Sequence, residues 1–129
     1  MLCFGRVAAG EVFTTGQIRQ RTRIRQDGRL LWWEQGILTP DGIASPLGMQ
    51  GHSVCATLLA VGRPGPAALQ AHVRALDPQL ASSQVKSVFV ARYLGHDGEA
   101  ARAVIARVWE LLRPHLLDRP ACPPRIWLT

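Results

Sequence analysis

Lysine is almost absent from this chain: Lys86 is the single lysine among 15 basic residues, and all the others are arginines. The 9 acidic residues leave a formal net charge of +6 at pH 7, and the calculated isoelectric point is about 10.6. A positive net charge speeds association with acidic partners, but it does not indicate whether the partner is a protein surface or nucleic acid. The preference for arginine has two open explanations, the base composition of the genome and a need for bidentate pairing with carboxylates.

Long apolar runs are also missing. No segment approaches the roughly 20 consecutive apolar residues that a membrane-spanning helix requires. The first residues show no basic segment followed by a long apolar stretch and a small-residue cleavage site, so we expect no secretory signal. The 129 residues, 47% of them hydrophobic, suit one folded domain over residues 1–129. We therefore expect a cytoplasmic protein with no membrane partner.

Motifs for catalysis or tight metal binding are scarce. Cys3, Cys55 and Cys122 are odd in number and far apart, which argues against a disulfide framework or a thiolate zinc site. Neither a Gly-x-Ser-x-Gly nucleophile elbow nor a Walker-type phosphate loop occurs, and no pair of carboxylates stands out for acid–base chemistry. The sequence predicts a protein that is not an enzyme and that holds no tightly bound cofactor.

A β-hairpin is the clearest structural prediction. In residues 17–26 every second side chain is an arginine, and this period of two indicates a β-strand. Asp27-Gly28 follows, a dipeptide that suits a type I′ turn. Residues 29–38 then supply a second apolar-rich strand that contains Trp32 and Trp33.

Two more strands are predicted, over residues 52–61 and 85–94, because β-branched and other apolar residues dominate both segments. Between the hairpin and the first of them, residues 39–48 carry proline and glycine turn signals and are expected to form a loop.

Two helices complete the predicted elements. Apolar residues at helical spacing predict one helix over residues 67–76. A second is predicted over residues 98–113, with Asp97 accepting hydrogen bonds at its start. Pro114 has no N–H group and crowds the preceding turn, so this helix should end near Arg113.

Four arginines of the first hairpin strand, which we name the arginine ladder, form the strongest pattern in the chain: Arg19, Arg21, Arg23 and Arg25. Guanidinium groups at this spacing repel one another unless solvent or anions screen them, so the ladder should not face a core. Glu11 and Glu34 are the acids expected to neutralise it in part. Three interpretations remain open: a solvated strand face, a docking face for an acidic protein, and a small basic β-domain that binds single-stranded nucleic acid with Trp32 or Trp33 as a stacking platform.

Three motifs carry a family resemblance. The first is Gly5-Arg6-x-x-Ala9-Gly10-Glu11-x-Phe13-x-x-Gly16, and the second is Ala91-Arg92-Tyr93-Leu94-Gly95. The third joins Trp109-x-x-Leu112-Arg113-Pro114 to the tail Pro123-Pro124-Arg125-Ile126-Trp127-Leu128-Thr129. In this order and at these separations they resemble the second half of the urease accessory protein UreD, also called UreH. The family's first half is expected to be absent here, and three explanations remain open: a separately encoded first half, a misassigned start codon and a degraded gene.

The resemblance implies both a fold and a role. The fold is mainly β, with a β-helix-like or sandwich core of antiparallel strands, to which the sequence pattern adds the two helices. The implied role is that of a scaffold that binds a UreF-like helical partner, through it a UreG-like GTPase, and then urease apoprotein. Nickel is implied as transient cargo that passes along an internal path to the urease active site.

Nickel contacts and partner contacts are assigned to few residues. His52 and Cys55 are weak candidates for transient nickel contact, because a spacing of three on a strand sends their side chains to opposite faces. The other histidines are isolated in the sequence. The partner-binding candidates are the arginine ladder, Arg113, Arg125 and Trp127; the indole either covers the core or anchors an interface.

The remaining motif residues are expected to maintain the fold: Gly5, Arg6, Gly10, Glu11, Phe13, Gly16, Arg92, Tyr93, Gly95 and Pro114. Arg6 and Glu11 could form an ion pair that pins a β-corner. Arg113 and Arg125 could donate hydrogen bonds to carbonyl groups at the end of the second helix and in the tail.

Overall fold

The computed structural model describes residues 1–5 and 9–127 of the chain. Within these ranges the strands are β1 (Leu2–Cys3), β2 (Ile18–Gln26), β3 (Arg29–Leu38), β4 (Val54–Val61), β5 (Leu80–Val85) and β6 (Val88–Gly95). The helices are α1 (Pro40–Ala44), α2 (Ala67–Arg74) and α3 (Gly98–Leu117), followed by a 3-10 turn at Arg125–Trp127. The prediction of a mainly β fold with antiparallel strands is confirmed.

The larger sheet has four strands in the order β1-β4-β6-β5, and all its pairs are antiparallel. Strand β6 occupies an inner position, where Arg92 lies between Thr57 of β4 and Ala81 of β5. Strand β1 pairs with only Val54 and Cys55 at the start of β4. The sheet is therefore built around the β4–β6 pair.

The predicted hairpin is confirmed as a separate two-stranded sheet of β2 and β3. Asp27 and Gly28 have φ angles of 50° and 75°, as the type I′ turn requires. The pairing places Ile18 opposite Leu38 and Thr22 opposite Glu34, and its register shifts between Ile24 and Arg25. Strict alternation along β2 gives the hairpin one exposed face and one half-buried face.

The main core lies between one face of the four-stranded sheet and helices α2 and α3. Every second residue of β4 and β6 faces the helices, because successive side chains of a strand point to opposite sides. The buried residues of this core are Val54, Ala56, Val73, Leu80, Phe89, Ala91, Tyr93, Ala101, Val104, Val108 and Leu112. Helix α3 contributes a stripe at helical spacing and begins at Asp97, whose side chain accepts hydrogen bonds from Glu99 N and Ala100 N.

A smaller core lies on the other side of the sheet, beneath the hairpin. Phe4, Ile43 and Met49 are buried there, and Ile18 and Leu38 of the hairpin pack against them. This cluster attaches one end of the hairpin to the body of the protein.

Helix α3 continues through Pro114 to Leu117, so the predicted end near Arg113 is wrong. Pro114 is exposed, and water can therefore solvate the carbonyl that its missing N–H leaves without a partner. Tertiary contacts hold the last turn: Leu116 packs against the core, and Arg63 Nε donates to the His115 carbonyl at 3.1 Å. Asp118, with a φ of 51°, ends the helix in the left-handed conformation.

The other differences from the prediction concern short elements. The expected loop after the hairpin contains helix α1, which Thr39 caps by accepting from Gly42 N at 3.1 Å, so the described chain has three α-helices and not two. Helix α2 ends at Arg74, before the predicted position 76. Strand β5 was not predicted, and its last residue, Val85, was wrongly assigned to the following strand, which begins at Val88 after a turn in which Lys86 has a φ of 54°.

None of the helices in the described ranges has both the length and the apolar character needed to span a membrane.

Candidate functional site

The half-buried face of the hairpin covers the face of the four-stranded sheet that the helices leave open. Three adjoining cavities of about 410, 240 and 240 Å³ lie between the two sheets, and we name them together the interlayer space. Glu34 of β3 lines all three, while Gln20, Cys55 and Thr57 line the two smaller ones. Polar side chains from both sheets therefore face each other across this space.

An ion pair crosses the interlayer space. The Arg92 guanidinium of β6 donates to the Glu34 carboxylate of β3, and 42% and 30% of the two side chains remain exposed. Arg92 lies on the inner strand of the larger sheet, and Glu34 lies opposite Thr22 near the middle of the hairpin. The pair therefore ties the two sheets together away from the small apolar cluster at the hairpin's end.

The side chains around this ion pair could contact a metal ion in passing. The interlayer space offers a carboxylate (Glu34), a thiol (Cys55), an amide (Gln20) and the hydroxyls of Thr22 and Thr57. In the part of the chain that the structure describes, no group of three or more His, Cys, Asp or Glu side chains could hold a metal ion. Glu34 and Cys55 are the His, Cys, Asp or Glu residues that line this space, so it offers two donors of these types and not three.

The arginine ladder occupies the opposite face of the hairpin, and all four of its side chains are exposed. The facing residues of β3 are also exposed and include Trp33 and Ile37, which are 61% and 51% accessible. Arg23 lies over the Trp33 ring at 5.9 Å from its centroid. This surface thus combines high positive charge with apolar area.

Glu34 does not neutralise the ladder as the sequence suggested, because it points to the other face of the hairpin and pairs with Arg92. Trp32 and Trp33 are likewise divided between the faces. Trp33 lies beside Arg23 and is mostly exposed, although it also borders the largest cavity of the interlayer space, whereas Trp32 is half-buried against that cavity and has its Nε1 buried. The two indoles cannot form one stacking platform on the exposed side.

His52 and Cys55 are placed in different surroundings. Cys55 lines the interlayer space, whereas His52 precedes β4 and stacks on His96, which follows β6. The sequence reasoning treated His96 as isolated and missed this pair. The signal that could have found it is the antiparallel pairing of β4 with β6, because Val54 lies opposite Gly95 and the histidines flank that pair.

In the first motif, the backbone of Gly5 lies close to the backbone of Glu11. Gly5 has a φ of 80°, and a Cβ on it would lie 2.5 Å from the Glu11 carbonyl oxygen, so only glycine fits there. Gly10 and Gly16 also have positive φ angles, and Phe13 packs against Phe4 with ring centroids 5.9 Å apart. Arg6 lies outside the described residues, so the predicted Arg6–Glu11 ion pair stays a prediction.

In the second motif, the Tyr93 side chain lies close to the backbone of Gly95. Tyr93 is buried, and its ring lies against Gly95: a Cβ at Gly95 would be 2.6 Å from the Tyr93 hydroxyl oxygen and 2.7 Å from Gln79 Oε1. Burial raises the pKa of the Tyr93 phenol above its usual 10.0, and the negative charges of Asp77 and Asp97 raise it further. The motif therefore places the neutral phenol of Tyr93 against Gly95, a strand position that has no side chain.

The third motif folds the tail back onto α3. Arg113 lies 5.0 Å from the Trp109 ring centroid and donates from Nε to the Pro120 carbonyl at 3.1 Å. Trp127 packs edge-on against Trp109, with centroids 5.2 Å apart, and its carbonyl accepts from Arg102. Trp127 also lines a cavity of about 210 Å³ between α3 and the sheet. Arg125 is exposed at the start of the 3-10 turn that ends at Trp127.

Comparison with known proteins agrees with these motifs. The family model for the UreD urease accessory protein matches residues 1–128. Among curated proteins, the chain is similar to the urease accessory protein UreD of Janthinobacterium sp. (strain Marseille), with 47% identity over 137 residues that cover 100% of this chain and 46% of the relative.

Other relatives show the same relationship. The UreD proteins of Nitrosospira multiformis and Pseudomonas fluorescens (strain Pf0-1) are 42% and 44% identical, and the matches cover 100% of this chain and 50% and 47% of the relatives. The chain therefore spans about half the length of the curated relatives it matches. By its sequence over residues 1–128, the chain belongs to the UreD family of urease accessory proteins.

Proposed function

We propose that this chain takes part in urease maturation in the cytoplasm, as a scaffold and nickel conduit that catalyses no reaction of its own. The observation that carries the proposal is the family match over residues 1–128. The chain would supply about half of such an accessory protein. The proposal therefore concerns the surfaces that this half provides, the interlayer space and the arginine ladder.

The chemistry of the interlayer space supports a conduit. A nickel ion in transit needs donors that replace part of its water shell without holding it, and carboxylate, thiol and hydroxyl groups line this space. The Arg92 guanidinium competes with a cation for the Glu34 carboxylate, which weakens any nickel contact there. Weak contacts permit release of the ion, whereas a closed site would retain it.

The arginine ladder supports a docking role. Arginine binds carboxylates in bidentate geometry, and the exposed Trp33 and Ile37 add apolar area to the same surface. We infer that this face meets an acidic surface of a UreF-like partner, which connects the chain to a UreG-like GTPase, or of urease apoprotein. The comparisons give no support to the alternative of a nucleic-acid-binding domain, and the separation of Trp32 from Trp33 weakens it further.

Coexpression tests the proposal as a whole. The chain should copurify with a UreF-like protein or urease from cells that express a urease operon lacking its own UreD. It should also raise nickel-dependent urease activity in those cells. If neither copurification nor activation occurs while the chain is soluble and folded, the proposed function is wrong.

The conduit can be tested with two substitutions on one hairpin. Gln20→Phe places a ring in the interlayer space, while Gln35→Phe places the same ring on the exposed face. We expect Gln20→Phe to lower nickel-dependent activation without abolishing complex formation, and Gln35→Phe to leave the nickel dependence unchanged. Equal activation by both variants at every nickel concentration would argue against transport through this space.

The docking face can be tested by charge reversal. Arg21→Glu with Arg23→Glu should weaken copurification with the acidic partner, because both side chains belong to the ladder. The matched control is Arg107→Glu with Arg119→Glu, which changes the net charge equally at exposed positions elsewhere. If both double variants lose partner binding alike, net charge and not the ladder governs the interaction.

A further inference from the structure

The two outer edges of the four-stranded sheet are covered differently. At the β5 edge, the Ser82 carbonyl accepts hydrogen bonds from Gln70 Nε2 at 3.1 Å and from Arg74 Nη2 at 2.8 Å, and both donors belong to α2. At the opposite edge, β1 pairs with only the first two residues of β4. In the part of the chain that the structure describes, no strand lies beside residues 56–61 of β4 on this side. We name this stretch the open edge of β4.

The open edge directs backbone hydrogen-bonding groups outward at alternate residues. Phe4 N donates to the Ser53 carbonyl at 2.8 Å, so the backbone groups of Ser53 point away from β6. Gly62 N donates to the Ser87 carbonyl at 2.9 Å, so the backbone groups of Gly62 point the other way. Because these directions alternate along an antiparallel strand, the odd-numbered residues of β4 carry the outward N–H and C=O groups. On the open edge they are Thr57, Leu59 and Val61.

The sequence of the open edge does not discourage pairing. Its residues, Ala-Thr-Leu-Leu-Ala-Val, include neither a charged side chain nor a proline. Charges, prolines and bulges are the usual means by which an edge strand avoids pairing with another chain. The register of β4 with β6 continues from Val54 to Val61 without a shift, so the open edge is also regular. The open edge is therefore suited to pair with a further strand.

A cavity lies on each side of the open edge. On the helix side is the cavity of about 210 Å³, which is lined by side chains that include Ile105, Ala106 and Trp127. On the hairpin side is a cavity of about 240 Å³ that belongs to the interlayer space and is lined in part by Leu59. Met1 lines both cavities. Successive side chains of an added strand point to opposite faces, so they would enter the two cavities alternately.

The register of β1 indicates which polypeptide fits the open edge. Leu2 lies opposite Cys55 and the strands are antiparallel, so each step back along the chain moves the facing position one residue forward along β4. Residues ahead of Met1 in the same extended conformation would therefore lie opposite the open edge. The matches cover 46% of the Janthinobacterium UreD and 50% of the Nitrosospira protein, and the motifs resemble the second half of the family. The first half of these relatives can supply such residues.

We propose that the open edge binds a β-strand from the polypeptide that precedes the matched region in UreD relatives, antiparallel to β4 and continuous in register with β1. The outward groups of Thr57, Leu59 and Val61 bond to the backbone of this strand. Its side chains fill the cavity beside α3 and close one side of the interlayer space. The inference rests on family membership and strand geometry, and not on the proposed role in urease maturation.

Amide hydrogen exchange followed by nuclear magnetic resonance tests the proposal without a substitution. In the chain alone, the outward amides of the open edge should exchange faster than those of Leu58 and Ala60, which point towards β6. Joining the preceding part of the Janthinobacterium UreD directly ahead of this chain should slow exchange at the outward amides by at least about tenfold. Unchanged exchange there would overturn the proposal. Protection in the chain alone that increases with protein concentration would also overturn it, because a second copy would then cover the edge.

Assembly from two polypeptides gives an independent measure. The same part of the relative, coexpressed as a separate tagged polypeptide, should copurify with the full chain. Ala106→Phe places a ring in the cavity beside α3, and it should lower the copurified amount by at least about tenfold because the strand's side chains need that space. Ala103→Phe is the matched control at an exposed position of the same helix, and it should copurify as the unsubstituted chain does.

Two outcomes of this second measurement would overturn the proposal. One is failure of the unsubstituted chain to copurify with the preceding part of the relative, and the other is equal copurification of the two phenylalanine variants. Urease activity is not part of either readout, so the result is separate from the coexpression test of the proposed function.

Discussion

Arg92 and Glu34 form an ion pair between two different sheets, the four-stranded sheet and the hairpin. Both side chains are partly enclosed, so a lone charge left by removing one partner would be incompletely solvated. This polar contact attaches the middle of the hairpin to the larger sheet, whereas the small apolar cluster attaches one end of it.

Substitution of either partner should therefore destabilise the chain. We expect Glu34→Gln or Arg92→Gln to lower the free energy of unfolding by about 1–2 kcal/mol, less than the loss of a fully buried pair because solvent screens this one. Urea unfolding of both single variants and the double variant would give the coupling energy. Additive effects would show that the two residues do not interact energetically.

The exposed pair of Arg63 with Asp118 provides the control. Its atoms approach to 2.8 Å, but 60% and 78% of its side chains are exposed. Asp118→Asn should change the free energy of unfolding by less than about 1 kcal/mol.

Gly95→Ala should destabilise the protein through a steric clash. The added Cβ would lie 2.6 Å from the Tyr93 hydroxyl oxygen, and the buried ring can move only by disturbing the core. We expect a loss of about 1–3 kcal/mol in the free energy of unfolding, as in other overpacked cores. Gly36→Ala is the matched control in β3, because a Cβ there has no neighbour within 4 Å. Equal stability of the two variants in urea would contradict the clash.

Asp97→Ala should weaken the start of α3. The carboxylate accepts from Glu99 N at 2.8 Å and from Ala100 N at 3.3 Å, and alanine leaves both groups without this acceptor. The expected cost is about 1 kcal/mol in the free energy of unfolding. Asp97→Asn keeps a capping oxygen and should recover most of that loss in thermal unfolding. An asparagine variant as unstable as the alanine variant would mean that the charge, and not the hydrogen bonds, stabilises the helix.

The free energy of unfolding should fall at alkaline pH because of the ionisation of Tyr93. Its pKa is raised in the folded chain, so the folded state keeps the phenolic proton at pH values where the unfolded state loses it. The stabilisation is complete below the ordinary pKa of about 10 and decreases as the pH rises through the higher folded value. Urea unfolding between pH 9 and 11 should show a steeper loss for the unsubstituted chain than for Tyr93→Phe. Parallel pH profiles would show that Tyr93 does not contribute.

Local sequence patterns predicted the elements that are determined by residues close together in the chain. The alternation before Asp27-Gly28 gave the hairpin and its exposed ladder, and the spacing after Asp97 gave the start of α3. The end of α3 could not be predicted in this way, because Arg63 and Leu116 hold the turn after Pro114 by contacts from distant parts of the chain.

The candidate sites depend on strand pairing, which the sequence did not reveal. Glu34 was read as a neighbour of the ladder, although period-two alternation places it opposite Thr22 and away from the arginines. Its contact with Arg92 joins strands from two sheets, and the contact of His52 with His96 follows from the β4–β6 register. Family resemblance marked Arg92 and Gly95 as important, but only the packing explains why.

The hairpin is a single layer of two strands, so the side chains on its two surfaces are attached to the same backbone. Arg21 is bonded on either side to Gln20 and Thr22, whose side chains line the interlayer space. A protein that contacts the arginines would therefore act on the same backbone that positions the side chains of the interlayer space.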